Sequence, residues 1–241
     1  ILNWEETQIM GDDVRLLQLA AAVPQQRGAD TLENEGYRSQ AQTGRGTQQG
    51  ARLEDMQVDI VFAIDTTRSM QPFIDMTKEA VAKLVRNFSQ DAAQRFRFGL
   101  VGYRDDVQAV PELEYAARNF TPEFVDGESL VQLLDTEFKA TPVGSLDYAE
   151  EVFAGVDTAL RSAWRDNALR FVILIGDASA HPKGHAQNTT GKDAQDLRRE
   201  ADDAQVHILA IHLQDPRAAE DHPISIPQFA KLSQIRGSQD S

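Results

Sequence analysis

From residue 57 onward, short apolar runs alternate with stretches in which apolar residues recur at helical spacing. Three runs are nearly all apolar and rich in β-branched residues, which is typical of strands buried on both faces of a sheet. These runs are 58–64, 171–175 and 206–213. Strands alternating with helices predict an α/β fold with a mostly parallel, doubly wound sheet.

Five helices are expected around these strands, because apolar residues recur there with the spacing of a one-sided helix. They fall near 73–88, 128–138, 148–164, 193–204 and 226–232. A further pair of strands, 96–103 and 113–120, is joined by a connector too short for a parallel crossover. We therefore expect one antiparallel strand at the edge of the sheet.

The N-terminal part of the chain has a different pattern. Residues 4–23 carry apolar groups at spacings of three to five and stop at Pro24, which predicts an amphipathic helix. Residues 25–51 are polar and rich in Gln, Gly, Arg and Thr, which predicts a linker or a long loop. The start at Ile1 shows neither an initiator Met nor a signal-peptide pattern, so we expect a longer parent protein. The predicted division is an N-terminal helical segment, 1–24, a polar linker, 25–56, and one domain, 57–241.

The charge and the cysteine content limit the kinds of partner and of metal site that we expect. The sequence has 24 Lys and Arg against 38 Asp and Glu, a formal net charge of -14. This charge repels phosphate backbones and anionic membrane surfaces, so we expect no nucleic-acid partner. No stretch approaches the roughly 20 apolar residues of a membrane span, so we expect no membrane insertion. Cysteine is absent, which excludes disulfides, thiolate metal sites and cysteine nucleophiles.

Oxygen donors occur in three loops at the expected carboxyl edge of the sheet. The first loop is 65–69, the second loop is 140–147, and the third loop begins at 176. The candidate donors are Asp65, Thr67, Ser69, Asp147 and Asp177, with Ser145 or Thr141 as a further donor in the second loop. Carboxylates and hydroxyls suit a hard divalent cation, Mg²⁺ first, with Mn²⁺ or Ca²⁺ as alternatives. We predict a metal centre and assign no catalytic residues.

The run Asp65-x-Thr67-x-Ser69 after an apolar strand resembles the metal-ion-dependent adhesion site of von Willebrand factor A domains. The resemblance implies that Thr67 and Ser69 bind the metal directly, that Asp65 acts mainly through water, and that Asp177 is the third-loop acid. The second-loop position is usually Thr in this family. Here 144–147 resembles the glycine-rich stretch ending in Asp that a bacterial and protist subgroup has. The fold we expect is a doubly wound, mostly parallel six-stranded sheet of the Rossmann-like kind, with one antiparallel edge strand and a preceding N-terminal helix.

The segments 101–105 and 175–178 are similar to the subgroup of these domains attached to bacterial and protist protein kinases, including Ser/Thr kinases of type VI secretion. The whole match spans roughly 57–235. It implies a metal-dependent protein-interaction module with a protein partner, serving as the regulatory or partner-sensing region of a larger signalling protein. The resemblance to these kinases implies that the domain lies on the periplasmic side of the inner membrane. If the chain is not related to them, we expect it in the cytoplasm. The sequence has no kinase nucleotide-binding or catalytic motifs, so we expect no enzyme activity.

Two other functions fit parts of the pattern. The first is a structural assembly domain whose metal site is purely structural or vestigial. The second is a Mg²⁺-dependent phosphotransfer enzyme of the haloacid dehalogenase kind, but that family needs a second Asp where this chain has Thr67. An Asp ligand at position 147 would neutralise more of the ion's charge than a Thr hydroxyl. We therefore expect a firmly held ion that attracts a partner carboxylate weakly.

Several polar residues near these loops receive structural interpretations. His181 and His185 lie in an irregular loop with Gly and Pro, without the helix of a metalloprotease, and are interpreted as solvated. Arg104 and Asp105 are interpreted as a structural ion pair or as loop-fixing hydrogen-bonding residues rather than as ligands.

Overall fold

The computed structural model describes residues 3–9, 12–18, 56–87 and 90–234. The chain divides into two compact units, Ile1–Gln49 and Gly50–Ser241. The linker predicted for 25–56 lies outside the described residues, apart from its last position.

A two-stranded hairpin forms the described part of the first unit. Strands β1 (Asn3–Ile9) and β2 (Asp12–Gln18) pair antiparallel, with Trp4 opposite Leu17. The helix predicted over 4–23 is therefore wrong across both strands. Gly11 lies in the middle of that segment, where glycine costs a helix about 1 kcal/mol, and of the apolar positions that suggested a helix, Trp4 and Leu17 fall opposite each other in the strand register.

The second unit is built on a five-stranded sheet with the strand order β5-β4-β3-β6-β7. Its strands are β3 (Gln57–Asp65), β4 (Phe96–Tyr103), β5 (Ala117–Asn119), β6 (Ala168–Gly176) and β7 (Val206–His212). The central strand β3 pairs in parallel with β4 and β6, β7 pairs in parallel with β6, and the short β5 runs antiparallel to β4. The predicted fold class and the antiparallel edge strand are confirmed.

The expected sixth strand is absent from the described residues. After β7 the chain enters a 3₁₀ turn at Pro216–Ala218 and then a helix. Proline has no N–H to donate to a sheet, so this segment cannot extend the ladder. Within the described part of this sheet, the prediction therefore has one strand too many.

Six helices flank this sheet in the residues that the structure describes. They are α1 (Gln71–Arg86), α2 (Gln90–Arg95), α3 (Gly127–Thr136), α4 (Val152–Leu160), α5 (Ala194–Asp203) and α6 (His222–Leu232). Apolar side chains of α1 and α3 pack on one face of the sheet, and those of α4, α5 and α6 pack on the other. None of the helices in the described part of the chain has the length and apolar character needed to cross a membrane.

The helix predicted over 148–164 is shorter in the structure, where α4 begins at Val152. The residues directly before it are not helical, because Glu150 pairs with Ala180 in a parallel bridge and its N–H donates to the carbonyl of Ser179. The strand predicted over 113–120 is likewise reduced to β5. The pairing of Glu150 with Ala180 outweighs the local helical pattern and places Glu150 beside the third loop.

The register of the strands brings the carboxyl ends of β3, β4 and β6 to one edge of the sheet. Asp65 lies opposite Tyr103 of β4, and Ile64 lies opposite Ile175 of β6. Asp177 directly follows the last residue of β6. Both acids therefore leave the sheet at its carboxyl edge, where ligand sites of parallel sheets lie.

Candidate metal centre

The first loop turns tightly at the end of β3. Asp65 is fully buried, and its Oδ1 accepts a hydrogen bond of 2.7 Å from the N–H of Thr67. The hydroxyl oxygens of Thr67 and Ser69 lie 3.4 Å apart, and a 3₁₀ turn over Arg68–Met70 leads into α1. The three predicted donors of this loop are therefore gathered together.

Backbone hydrogen bonds fix this loop from two sides. The N–H of Thr66 donates to the carbonyl of Tyr103 at 2.8 Å, and the carbonyl of Thr66 accepts from the N–H of Thr141 at 2.8 Å. Thr141, one of the two alternative second-loop donors, is thus held against the first loop. Its own hydroxyl oxygen accepts a hydrogen bond from the N–H of Val143.

Asp177 completes the group from the end of β6. Its carboxyl is buried and lies near enough to the Ser69 hydroxyl and the Asp65 carboxyl for both to influence its pKa. The structure therefore brings together four of the five predicted site residues, from two loops that are far apart in sequence.

The carboxyl of Asp65 lacks a counter-charge. Its Oδ2 is buried and has no hydrogen-bond partner. Burial raises the pKa of Asp65 well above its usual range, and the nearby Asp177 carboxyl raises it further. Burial also raises the pKa of Asp177. Two neighbouring desolvated carboxyls favour either protonation of one of them or a cation between them.

The donor chemistry fits a hard divalent cation. No three His, Cys, Asp or Glu side chains of the described residues gather closely enough to hold an ion by themselves. The two carboxylates would therefore need the hydroxyls of Thr67 and Ser69, with water, to fill a shell of oxygen ligands. Such an ion would contact the unpaired Asp65 oxygen or a water bound to it, and it would neutralise the repulsion between the acids.

These raised pKa values predict a pH-dependent response to metal. Between the ordinary carboxyl range near pH 4 and the raised values, the ion-free folded protein binds more protons than the unfolded chain. The stability of the ion-free domain contributed by these acids is therefore present at low pH and is lost as pH rises through that window. A bound cation replaces the protons, so Mg²⁺ should raise the unfolding temperature more at about pH 7.5 than at about pH 5.

Thermal unfolding of the full chain with and without Mg²⁺, at both pH values, measures this response. Asp65→Asn is the control, because it removes one of the two interacting charges and should reduce the difference between the two pH values. An Mg²⁺-induced shift that is equal at both pH values in the natural sequence would contradict this linkage.

Asp147 lies apart from the four gathered residues. Its carboxyl is 50% exposed and lies 3.3 Å from Nε2 of His181. His181 itself is buried, with its ring stacked on that of His185, so its interpretation as a solvated residue is wrong. The Gly and Pro residues of this irregular loop suggested that His181 is solvated. The parallel pairing of the third loop with residue 150 instead brings His181 against the second loop.

Arg104 has the structural role predicted for it. Its guanidinium donates to the carbonyl of Leu113 at 2.6 Å, pairs with Glu114 at 3.0 Å and lies over the ring of Tyr115. Asp105 is fully buried and lies 3.9 Å from Nδ1 of His181. Both residues therefore fix the loop after β4.

Glu150 is the acid near the site that sequence reasoning missed. It is 6% exposed, and burial raises the pKa of its carboxyl well above the usual range, with further contributions from Asp65 and Asp105. The sequence pattern placed it in an amphipathic helix, and an acid that precedes the apolar stripe of such a helix is expected to be solvated. The bridge to Ala180, which brings it here, joins positions that no local pattern connects.

Tyr103 packs beneath the acids. Its ring is buried, its hydroxyl donates to the carbonyl of Ile175 at 3.1 Å, and the absence of a side chain at Gly176 makes room for it. Burial raises the pKa of this hydroxyl well above its usual range, and the carboxyls of Asp65 and Asp177 add to the effect. Tyr103 thus remains neutral and supports the floor of the site.

A five-stranded, mostly parallel sheet has helices on both faces, and an Asp-x-Thr-x-Ser loop and a second strand-terminal Asp lie at its carboxyl edge; together they define an α/β domain with a candidate adhesion-type metal centre. The family profile of the von Willebrand factor type A domain matches residues 59–230. The chain belongs to this family.

The comparisons with single proteins are more distant. The chain is similar to the alpha-protein kinase vwkA of Dictyostelium discoideum, with 29% identity over 161 residues that make up 65% of this chain and 24% of the kinase. This chain thus spans about a quarter of that relative's length. Proximal thread matrix protein 1 from the mussel byssus has a similar structure, with a TM-score of 0.52, 15% identity, and coverage of 74% of this chain and 39% of that one. A second structure of the mussel protein, described with a zinc-occupied MIDAS motif, has a TM-score of 0.50 at the same identity and coverage. At this identity the likeness concerns the fold.

Proposed function

We propose that the domain binds a divalent cation, Mg²⁺ first, between Asp65, Thr67, Ser69 and Asp177, and that it recognises a protein partner without catalysing a reaction. The observation that carries this proposal is the buried Asp65 carboxyl, whose Oδ2 has no partner in a loop that also holds the Thr67 and Ser69 hydroxyls, with the charge of Asp177 nearby. A hard cation is the group that such oxygen donors bind. The mussel protein with a zinc-occupied MIDAS motif supports a divalent ion in a domain of this fold.

The surface next to the site suits a protein partner. Leu146 of the second loop and Tyr148, which directly follows it, are 67% and 42% exposed. Burial raises the pKa of the Tyr148 hydroxyl, and the carboxyls of Asp177 and Asp65 are among the acids that add to the effect. Exposed apolar groups beside a charged centre are typical of interaction surfaces.

The absence of a second acid in the first loop supports a binding role over phosphotransfer. Position 67 holds Thr, so the second acid that the phosphotransfer family needs is missing from this loop. The same protein-binding role fits a regulatory or partner-sensing region of a larger signalling protein, and the kinase relative supports that context. The sequence resemblance favours a type VI secretion kinase with this domain on the periplasmic side of the inner membrane.

Calorimetric titration with Mg²⁺ or Mn²⁺ tests the metal site. Ser69→Ala removes a hydroxyl ligand and should weaken binding by about tenfold or more. Ser162→Ala, just after α4, is a matched control and should bind like the natural sequence. Equal affinity of the natural sequence and Ser69→Ala would refute the site.

A further inference from the structure

The strand β7 forms one edge of the five-stranded sheet. It pairs with β6 on one side, and in the part of the chain that the structure describes no strand lies on its other side. The N–H of Leu213 donates to the carbonyl of Gly176 at 2.8 Å, so the backbone groups of the odd-numbered residues of β7 point toward β6. Those of the even-numbered residues, including Ile208 and Ala210, therefore point to the open side.

The open edge lacks the residues that usually keep an edge strand from pairing with another strand. Edge strands of soluble proteins are commonly protected by charged side chains or by proline. The seven residues of β7 include no Asp, Glu, Lys, Arg or Pro. Ile211 is 45% exposed, and His207 on the same face of the strand is exposed as well. An edge of this composition can accept a further strand.

The incompletely covered apolar surface continues from β7 onto β6. Leu209 lies opposite Ile173, and Ile211 lies opposite Ile175, on the face of the sheet that carries α1 and α3. Leu209 and Ile173 are only half-buried there, whereas Ile208, on the other face, is 2% exposed. Parallel strands are normally buried on both faces. This side of the sheet therefore has room for further protein.

We propose that two copies of this chain associate through β7, paired antiparallel, so that two five-stranded sheets become one continuous sheet. The register that pairs all seven residues of both strands has its two-fold axis at Leu209. In this register Ile208 of each copy lies opposite Ala210 of the other, and both use backbone groups that point outward. The carbonyl of Val206 already accepts from Arg198 at 3.0 Å, so the central pairs carry most of the ladder.

A second copy fits this edge because the edge is self-complementary and carries no acid. The chain has a formal net charge of -14, so two copies repel each other over most of their surface. In the proposed register Leu209 meets Leu209 of the second copy, and Ile211 meets His207, which covers the exposed isoleucine without bringing acids together. A two-fold axis satisfies both copies with the same contacts and closes the assembly.

The size of the interface sets the expected strength. Seven residues at about 3.3 Å each give a contact roughly 23 Å long, which is small for a permanent dimer. We therefore expect a reversible dimer with a dissociation constant on the order of 10 μM. None of the residues in the ladder belongs to the candidate metal centre, so the result of its test leaves the proposed function unaffected.

Sedimentation equilibrium of the full chain measures the association. The natural sequence should change from monomer to dimer between about 1 and 200 μM. Ile211→Lys places a charge at the edge and should raise the dissociation constant at least about tenfold. Leu84→Lys makes the same change at a 43% exposed residue of α1, and as the matched control it should keep the constant within about twofold. A natural sequence that stays monomeric throughout, or equal weakening by both substitutions, would overturn the proposal.

Single cysteines distinguish this pairing from any other dimer, because the chain has no cysteine of its own. In the proposed register the two Leu209→Cys positions face each other with Cα atoms about 4.5 Å apart, within the range that a disulfide spans. The two Ile211→Cys positions are more exposed but lie at least about 13 Å apart along the strands. Oxidation should therefore link Leu209→Cys into a covalent dimer and leave Ile211→Cys largely monomeric on a non-reducing gel. Linking of Ile211→Cys as fast as that of Leu209→Cys would overturn the strand pairing even if a dimer forms.

Discussion

Asp65→Asn is expected to weaken Mn²⁺ binding by at least about 100-fold, at the upper end of the range for groups that support a metal. Asp65 is fully buried, and its unpaired Oδ2 is the oxygen most in need of a cation or a water bound to one. The amide of asparagine carries no charge, so it neither attracts the ion nor repels Asp177. Isothermal titration calorimetry of the full chain measures the loss.

The same substitution should stabilise the ion-free protein. An amide N–H at position 65 can donate to the Asp177 carboxyl, whereas two carboxylates repel each other there. The unfolding temperature without metal should therefore rise while the metal-induced increase disappears. Asp147→Asn, in the half-exposed acid outside the gathered group, is the control and should keep the natural affinity within about twofold. Loss of binding in Asp147→Asn but not in Asp65→Asn would contradict the assignment.

Gly155→Ala is expected to destabilise the domain by about 3 kcal/mol, near the upper end of the range for overpacked cores. A Cβ at this position of α4 would lie 2.4 Å from Cδ1 and 2.8 Å from Cγ of Tyr103. The ring cannot move away, because it is fully buried and its hydroxyl approaches Gly176 on the other side. The gain of about 1 kcal/mol in helix propensity from alanine offsets only part of this clash.

Denaturant unfolding of the ion-free protein measures the change in the free energy of unfolding. Gly144→Ala is the matched control, because a Cβ there meets no heavy atom closer than 3.9 Å. It should change the free energy of unfolding by less than about 0.5 kcal/mol. A loss in Gly155→Ala no greater than that of the control would show that Tyr103 is not wedged between α4 and β6.

The core of the site could be predicted from sequence because its signals are local. Asp65, Thr67 and Ser69 follow one apolar strand at alternate positions, and Asp177 follows another. Strands of that composition must lie side by side in a buried parallel sheet, so their carboxyl ends converge whatever the details of the helices. The structure confirms this convergence through the register of β3 and β6.

The second-loop side of the site could not be predicted in the same way. Asp147 fits a sequence pattern, yet its carboxyl is half exposed beside His181, while Glu150 is buried near the acids. The difference arises from the bridge between Glu150 and Ala180, which ends the predicted helix early and turns an apparently solvated acid inward. Such a long-range pairing leaves no periodic trace in the sequence.

In the N-terminal segment the local pattern of apolar residues was itself ambiguous. Apolar residues at spacings of three to five fit both a one-sided helix and two short paired strands. The choice between them depends on whether the single Gly11 is tolerated inside a helix or marks a break between two strands. The structure pairs β1 with β2 on either side of that glycine. The sheet of the domain was predicted more reliably, because its strands are longer and nearly all apolar.

Anomalous diffraction from crystals grown with Mn²⁺ tests the central claim most directly. The account predicts an anomalous peak at the carboxyl edge of the sheet, within ligand distance, about 2.1–2.3 Å, of oxygens of Thr67 or Ser69 and of an acid of the group. A Mn²⁺ peak only at Asp147 and His181, or no peak between β3 and β6 in crystals that hold Mn²⁺ elsewhere, would contradict it.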